Sequence, residues 1–225
     1  MKRRKRRKFY KIWICFVLFM VAFAILQMKV IQSSSGPKAV RIDNGWNLIL
    51  VNRDNFIPKD YKVELVELLN GQKVDSRIYP DLQEMLDAAR AQGLALFVAA
   101  GYRTGEEQKR LLDEKIEAYE YEGHSKTNAE KLAKQWVALP GTSEHQLGIA
   151  VDINADTEKS SSDEVYDWLA QNGYKYGFIK RYPSDKTDIT GVINEPWHYR
   201  YVGREAAEKI AAQGVCLEEY IESLQ

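Results

Sequence analysis

The alternation of apolar and polar residues predicts helices and short strands spread over residues 40–225. Residues 47–51 form a short apolar run, which is typical of a strand. Residues 81–92 carry apolar side chains at helical spacing and end before Gly93, a residue type that often terminates helices. Residues 94–100 form a continuous apolar run. Because a short run of this kind is typical of a buried strand, this part of the chain predicts strand, helix and strand.

The second half of the chain continues this irregular mixture. Apolar residues recur at helical spacing in four segments, and a fifth segment reads as a strand. The helical segments are residues 106–122, 129–138, 162–172 and 204–213, and the strand covers residues 197–202. Elements in this irregular order predict an α+β fold, in which helices pack on a small, mostly antiparallel sheet.

The N-terminal part of the chain carries a membrane signal. Residues 2–11 contain eight Lys or Arg and no acid, and residues 12–28 are apolar with one exception. As a helix, this run spans roughly 25 Å, near the lower limit for crossing a bilayer core. A cleaved signal peptide is the alternative, but its candidate cleavage site, Ala22-Phe23-Ala24, lies inside the apolar run. We therefore expect a basic cytoplasmic segment at 1–11, an uncleaved transmembrane anchor at 12–31, and the remainder outside the cell.

Composition changes after the predicted anchor. Residues 32–39 are rich in Ser and predict a flexible linker, and residues 40–225 contain no repeat and suffice for one domain with its own core. Without the eight N-terminal cations, 24 basic residues face 32 acidic ones, so this acidic domain does not suit nucleic-acid binding. The two cysteines are Cys15 and Cys216, and Cys15 lies in the predicted anchor. No disulfide within the domain is expected.

Two histidines and an aspartate form the candidate metal site. His145 and Asp152 lie in the segment SEHQLGIAVD at 143–152, and His198 ends a later segment, EPWH. Imidazole and carboxylate groups suit Zn²⁺, and three protein ligands with a fourth position left to water are typical of catalytic zinc sites. Because seven residues separate His145 from Asp152, one straight strand would point them to opposite faces. We therefore expect a break at Gly148, with Asp152 on a strand that follows it.

These segments resemble the two metal motifs of the VanY-type zinc D-alanyl-D-alanine carboxypeptidases, in the LAS group of peptidoglycan peptidases. Residues 143–152 resemble the first motif and residues 195–198 the second. The resemblance covers most of the predicted domain and includes the segment GYRT at 101–104, followed by Gln108. Two separate motifs in the family's order are more specific than either motif alone.

The resemblance implies a zinc site with a catalytic base. His145, Asp152 and His198 would hold one Zn²⁺ ion. Glu195 precedes His198 by three residues and cannot easily reach the same ion from an extended segment. Beside the ion it would act as the general base, taking a proton from the attacking water and passing it to the leaving amine.

The resemblance also implies a substrate-binding group. Arg103 would bind the free C-terminal carboxylate of the substrate, because a planar guanidinium matches a carboxylate better than an ammonium does. Arg103 follows a predicted buried strand directly, which favours this role over that of an ordinary surface cation. Gln108 and Ser143 would donate hydrogen bonds to the peptide. His124, in a polar loop, is expected to be a surface residue.

The expected protein is thus a membrane-anchored zinc carboxypeptidase that removes the last D-Ala from peptidoglycan stem pentapeptides. An L,D-carboxypeptidase acting on stem tetrapeptides is an alternative, since the same zinc ion, base and arginine would serve both reactions. A non-catalytic wall-binding module with a structural zinc is a third hypothesis, although it requires neither Glu195 nor Arg103. We expect a monomer whose partners are stem peptides and the membrane, with no nucleic acid.

Overall fold

The computed structural model of the protein describes residues 38–39 and 45–225. The cytoplasmic segment predicted at 1–11 and the anchor predicted at 12–31 lie outside these residues. Among the helices that the structure describes, none has both the length and the apolar character required to cross a membrane. The described residues from 45 to 225 form one compact unit.

Eight strands are present in the described residues, and four of them form the central sheet. The strands are β1 (Lys38–Ala39), β2 (Asn55–Phe56), β3 (Leu65–Glu67), β4 (Lys73–Asp75), β5 (Leu96–Ala100), β6 (Ala150–Ala155), β7 (Phe178–Lys180) and β8 (His198–Tyr201). The central sheet has the order β5, β6, β8, β7, and every neighbouring pair is antiparallel. Its pairing places Asp152 opposite both Ala100 and His198. The sheet therefore brings segments from distant parts of the chain to one place.

Seven α-helices are present in the described part of the chain, and those at 79–91, 162–172 and 204–213 contact strands of this sheet. They are α1 (Tyr79–Ala91), α2 (Gly105–Tyr121), α3 (Lys126–Ala133), α4 (Ser162–Asn172), α5 (Thr187–Thr190), α6 (Arg204–Gln213) and α7 (Leu217–Ser223). Helices α2 and α4 each begin with a capping box, formed by Thr104 with Glu107 and by Ser161 with Glu164. The predicted α+β arrangement of helices on a small antiparallel sheet is confirmed.

The strand predicted at residues 47–51 is wrong. Residues Trp46–Leu48 form a 3₁₀ turn that begins after Gly45, whose φ of 93° is outside the strand region. Ile49 is buried in the core, but its carbonyl oxygen accepts a hydrogen bond from the Arg200 side chain rather than from a neighbouring strand. The carbonyl of Asn47 also accepts from Arg200. The apolar run thus reflects burial, and the side chain of Arg200 provides the hydrogen bonds that a neighbouring strand would otherwise make.

The helix predicted at residues 129–138 is displaced. Helix α3 begins after Ser125, which has an extended backbone, and it ends at Ala133. Beyond it, the amides of Gln135 and Trp136 bond to carbonyls three residues back, which tightens the chain into a turn. Val137 then packs beside Ala133 in a small apolar cluster. The apolar periodicity therefore continues past the end of the helix.

The central sheet separates the main core from a polar face. Val151 and Ile153 of β6 and Tyr199 of β8 are buried in the core. The core also contains apolar residues of α1 and α4, among them Leu82, Met85, Val165 and Leu169. Asp152 and His198 alternate with these core residues and therefore lie on the opposite face. The strand predicted after Gly148, with Asp152 on it, is confirmed.

Replacing Leu82 by Ala tests the placement of this core. The Leu82 side chain is 1% exposed on α1, and its truncation is expected to lower the free energy of unfolding by about 2–5 kcal/mol. Leu69, in a turn, is fully exposed, so Leu69→Ala should change that free energy by less than about 0.5 kcal/mol. Chemical denaturation with a chelator present measures both values. Equal losses in the two variants would contradict the described core.

Candidate active site

A sharp turn places His145 next to the strand that carries Asp152. Residues Glu144–Leu147 form a 3₁₀ turn, and Gly148 ends it with a φ of 73°. A Cβ atom at Gly148 would lie 3.0 Å from Val63 and 3.1 Å from the Asp75 amide nitrogen, so the position is closed to larger residues. The predicted break at Gly148 is confirmed. The chain then enters β6, which presents Asp152 to the same side as the turn.

His145, Asp152 and His198 converge on one point. Oδ1 of Asp152 lies 2.9 Å from Nδ1 of His198 and 3.4 Å from Nε2 of His145. One ligand atom from each residue lies within 4.8 Å of the others. The separation of seven residues between His145 and Asp152 is thus bridged by the turn. The separation of Asp152 from His198 is bridged by the pairing of β6 with β8.

The hydrogen bonds of the triad fit a metal ion. Nδ1 of His145 lies 2.7 Å from the carbonyl oxygen of Gly101. Because a carbonyl can only accept, Nδ1 carries the hydrogen and the lone pair of Nε2 is left facing Asp152. Two imidazoles and a carboxylate form a donor set that suits Zn²⁺. The buried residues of the site therefore fit a divalent transition-metal ion.

Glu195 lies beside the triad in the turn that precedes β8. Its Oε2 is 3.8 Å from Nδ1 of His198, and its side chain is 9% exposed. The backbone amide of Glu195 donates to the carbonyl of Tyr182, which fixes the turn. Burial raises the pKa of Glu195 from 4.5 to about 7, although His198 opposes the shift and Asp152 adds to it. The structure therefore places a carboxylate near the metal-ligand candidates without making it part of the triad.

Arg103 is oriented by two neighbours. It follows β5, and its Nη2 donates to Oδ2 of Asp152 at 3.1 Å. Its Nη1 donates to Oε1 of Gln108 at 3.0 Å, and Nε2 of Gln108 donates in turn to the carbonyl of Ala138. Gln108 is buried, so its hydrogen bonds to Arg103 and Ala138 hold the guanidinium of Arg103 in one orientation. The sequence singled out Gln108 as a donor to substrate, and the structure shows it as a support for Arg103.

Of the two remaining residues, Ser143 lies at the site and His124 lies away from it. Ser143 is buried and lines the same cavity as Arg103 and the triad. His124 is exposed and its ring contacts the Asn128 side chain, as expected of a surface residue. The cavity has a volume of about 190 Å³. Its apolar wall is formed by Leu111, Trp136, Val137, Val192 and Trp197.

A buried charge cluster lies next to the triad, and its residues were not predicted as part of the site. Oε1 of Glu144 accepts from Nε of Arg181 and from Nη1 of Arg200, each at 2.8 Å, and all three side chains are fully buried. Burial would raise the pKa of Glu144, but the two arginines outweigh it and hold that pKa far below its usual value. The available signal was positional: Glu144 adjoins His145, and Arg200 shares a strand face with His198.

The family of the chain follows from a sequence comparison. The profile described as VanY: D-alanyl-D-alanine carboxypeptidase matches residues 71–204, more than half of the chain. The chain belongs to the VanY D-alanyl-D-alanine carboxypeptidase family. The matched range contains all the predicted site residues, from Arg103 to His198. The resemblance inferred from the two metal motifs is confirmed.

Individual relatives of this VanY-family chain agree with the profile. A D-alanyl-D-alanine carboxypeptidase of Enterococcus faecalis is 60% identical over 176 residues, which cover 78% of this chain and 66% of that protein. The chain thus spans just under two thirds of that relative. Among solved structures, a mutant of the vancomycin-resistance D,D-pentapeptidase VanY from a VanB-type cassette, in complex with Zn(II), is 60% identical with a TM-score of 0.78. That comparison covers 79% of this chain and 99% of the other.

A second solved structure adds a ligand to this comparison. It is VanYB in complex with D-alanine-D-alanine, 58% identical to this chain with a TM-score of 0.79. The comparison covers 80% of this chain and 100% of that one. The fold described above is therefore similar, over nearly the whole of the solved chains, to that of VanY proteins.

Proposed function

We propose that the protein is a zinc-dependent D-alanyl-D-alanine carboxypeptidase that removes the C-terminal D-Ala from peptidoglycan stem pentapeptides. The convergence of His145, Asp152 and His198 beside the buried carboxylate of Glu195 carries this proposal. Membership of the VanY family supports it, as do the Zn(II) and the D-alanine-D-alanine present in the two similar structures.

The triad would hold the metal ion in this reaction. His145 through Nε2, Asp152 through Oδ1 and His198 through Nδ1 are the proposed ligand atoms, because these three atoms face one another. Zn²⁺ at a three-ligand site supplies a Lewis acid and lowers the pKa of a water at the fourth position to about 7. The turn at Gly148 and the β6–β8 pairing position these three side chains.

Glu195 is the proposed general base. Its Oε2 takes a proton from the attacking water as the new C–O bond forms at the scissile carbonyl carbon. The same oxygen then gives that proton to the nitrogen of the departing D-alanine as the peptide C–N bond breaks. Its distance of 3.8 Å from Nδ1 of His198 supports this role, since it keeps the carboxylate near the reacting centre.

Arg103 is the proposed binding group for the free carboxylate of the substrate. The guanidinium has five N–H donors, and its contacts with Gln108 and Asp152 use one from each terminal nitrogen. The remaining donors are available to a carboxylate in the cavity that Arg103 lines. Gln108 holds the guanidinium in orientation, and the hydroxyl of Ser143 is the proposed donor to the peptide.

The D,D reaction is favoured over its alternatives by particular observations. Identities of 58–60% to VanY chains support it over an L,D-carboxypeptidase, which would use the same triad, base and arginine. A structural zinc site requires neither a buried carboxylate beside the ligands nor an oriented arginine. The presence of Glu195 and Arg103 therefore argues against a non-catalytic wall-binding module.

The proposed location is the outer face of the cell membrane. Supporting it are the basic residues at 2–11 and the apolar run at 12–28, which together favour an anchor at 12–31 with residues 40–225 outside. The peptidoglycan substrate lies on that side of the membrane. We propose that the protein acts there as a monomer, with one zinc ion per chain.

The central test uses two synthetic stem peptides, a pentapeptide ending in D-Ala-D-Ala and a tetrapeptide ending in one D-Ala. The zinc-loaded protein should release one alanine from the pentapeptide and stop at the tetrapeptide, as followed by mass spectrometry. Glu195→Gln should lower turnover by roughly 10²–10⁴-fold with the zinc content unchanged, while Glu205→Gln at an exposed position should behave as wild type. Cleavage of the tetrapeptide would favour the L,D reaction, and no cleavage with zinc bound would favour the binding module.

Replacing Arg103 by Lys tests carboxylate recognition. The variant keeps the charge but loses the planar pair of donors. Loss of a hydrogen bond to a charged group costs about 1.5–3 kcal/mol, so kcat/KM on the free-acid pentapeptide should fall by about 10- to 150-fold. Arg110→Lys, on the exposed side of α2, is the matched control. Equal wild-type activity on a C-terminally amidated pentapeptide would contradict the proposed role of Arg103.

The proposed orientation in the membrane is tested by protease digestion of intact spheroplasts. An extracellular protease should degrade residues 40–225, as detected with an antibody against that region. A cytoplasmic marker protein must survive in the same sample. Protection of the region until the membrane is opened with detergent would reverse the proposed topology.

A further inference from the structure

The carboxylate of Glu144 faces the side of His198 that points away from the triad. Oε2 of Glu144 lies 3.5 Å from Nε2 of His198. Within the described residues, neither atom has another hydrogen-bond partner. Both side chains are buried: that of Glu144 is 0% exposed and that of His198 is 5% exposed. Two unpartnered polar atoms that face each other in a buried place are expected to pair.

The arginines determine which of these two atoms donates. Arg181 and Arg200 both donate to Oε1 of Glu144. Two guanidinium groups at 2.8 Å keep this carboxylate ionised, and an ionised carboxylate can only accept hydrogen bonds. Nε2 of His198 must therefore carry the hydrogen. In a neutral imidazole this leaves the lone pair on Nδ1, the atom that lies 2.9 Å from Asp152.

The position of the carboxylate is itself fixed by contacts on both sides. Arg181 also donates to both oxygens of Glu218 on α7, at 2.9 and 2.6 Å. Arg200 donates to the backbone carbonyls of Asn47, Ile49 and Tyr201. The two cations are balanced by Glu144 and Glu218. Glu144 therefore has little freedom to turn away from His198.

We propose that Glu144 is a positioning residue that holds His198 in the tautomer with its hydrogen on Nε2, so that Nδ1 is free to bind the metal ion. The proposal rests on the zinc site of the proposed function. Carboxylates that accept from a metal-binding histidine fix its ring and raise its basicity, and their loss typically weakens metal binding 10- to 100-fold. Glu144 makes no contact with substrate in this scheme and acts only through His198.

A glutamine at position 144 would reverse the proposed tautomer. Arg181 and Arg200 are donors only, so both require the amide oxygen of the new side chain at the place of Oε1. The amide NH₂ group is then directed at Nε2 of His198, which has to accept a hydrogen bond. Its hydrogen moves to Nδ1 and blocks the lone pair needed for the ion. Glu144→Gln thus keeps the shape of the side chain and removes the metal-ready form of His198.

Glu218→Gln is the matched control. It removes one negative charge from the same cluster, at the other partner of Arg181. Glu218 contacts Arg181 and Asn52 and is not among the contacts of His198. Loss of charge or of stability affects both variants, whereas loss of the tautomer affects only Glu144→Gln.

The experiment measures the zinc dissociation constant of the full chain in detergent, by competition with a chromophoric chelator, with the unfolding midpoint of each metal-free variant recorded alongside. Glu144→Gln should weaken zinc binding by about 10- to 100-fold, and Glu218→Gln by less than about threefold, a small change for a charge that does not touch a ligand. Equal zinc affinity of Glu144→Gln and wild type, or equal losses in the two variants, would overturn the inference. A wild type that binds no zinc would instead refute the proposed function.

A second measurement covers the case in which Glu144→Gln does not fold. The chain contains three histidines, so ¹⁵N spectra of histidine-labelled, zinc-loaded wild type can be assigned directly. His198 should show a hydrogen on Nε2 and metal on Nδ1, and His145 the opposite arrangement. Metal on Nε2 of His198 would contradict the inference without recourse to any variant.

Discussion

The antiparallel pairing of β6 with β8 sets the position of the site, because it places Asp152 directly opposite His198. Side chains alternate between the faces of a sheet, so a slip of one residue would turn Asp152 or His198 toward the core. Such a slip would also expose Val151 or Tyr199, which are buried on the other face. The apolar core therefore enforces the register on which the polar site depends. The pairing of β6 with β8 therefore determines both which residues are buried in the core and where Asp152 and His198 lie.

The second constraint is the burial of charge. Glu144, Arg181 and Arg200 are removed from water, and desolvation of such groups costs several kcal/mol each. Their mutual contacts and the carbonyls bound by Arg200 offset this cost. An apolar cluster of similar volume is often as stable as a buried ion group. A role at the metal site gives a reason for retaining charges that stability alone does not require.

The residues of the site were predictable where chemistry and local order coincide. The triad stands in short segments whose residue types indicate zinc chemistry, and the resemblance to the VanY motifs pointed to Glu195 and Arg103. The turn at Gly148 follows from the spacing of His145 and Asp152. Short-range periodicity likewise gave α4 and α6 their observed bounds.

Other features depend on contacts between distant residues, which no local pattern encodes. The segment at 47–51 is not a strand because Arg200, some 150 positions later, binds its carbonyl groups. Gln108 supports Arg103 because Ala138 fixes its amide from a separate loop. The charge cluster combines Glu144 from the 3₁₀ turn, Arg181 from directly after β7, Arg200 from β8 and Glu218 from α7. From the sequence alone, charged residues of this kind are expected to lie on the solvent-exposed surface.

The order of strands in the central sheet has a consequence for the speed of folding. None of its neighbouring pairs is joined by a tight turn. Helices α2 and α3 separate β5 from β6, α4 and β7 separate β6 from β8, and a long segment containing α5 separates β7 from β8. Each pairing must close a long loop before its contacts form, and topologies dominated by distant contacts fold slowly. Helices α2 and α3 are local hairpin partners and are expected to associate early. The β6–β8 pairing places Asp152 opposite His198, so the candidate metal site is expected to be complete only after this long-range pairing has formed.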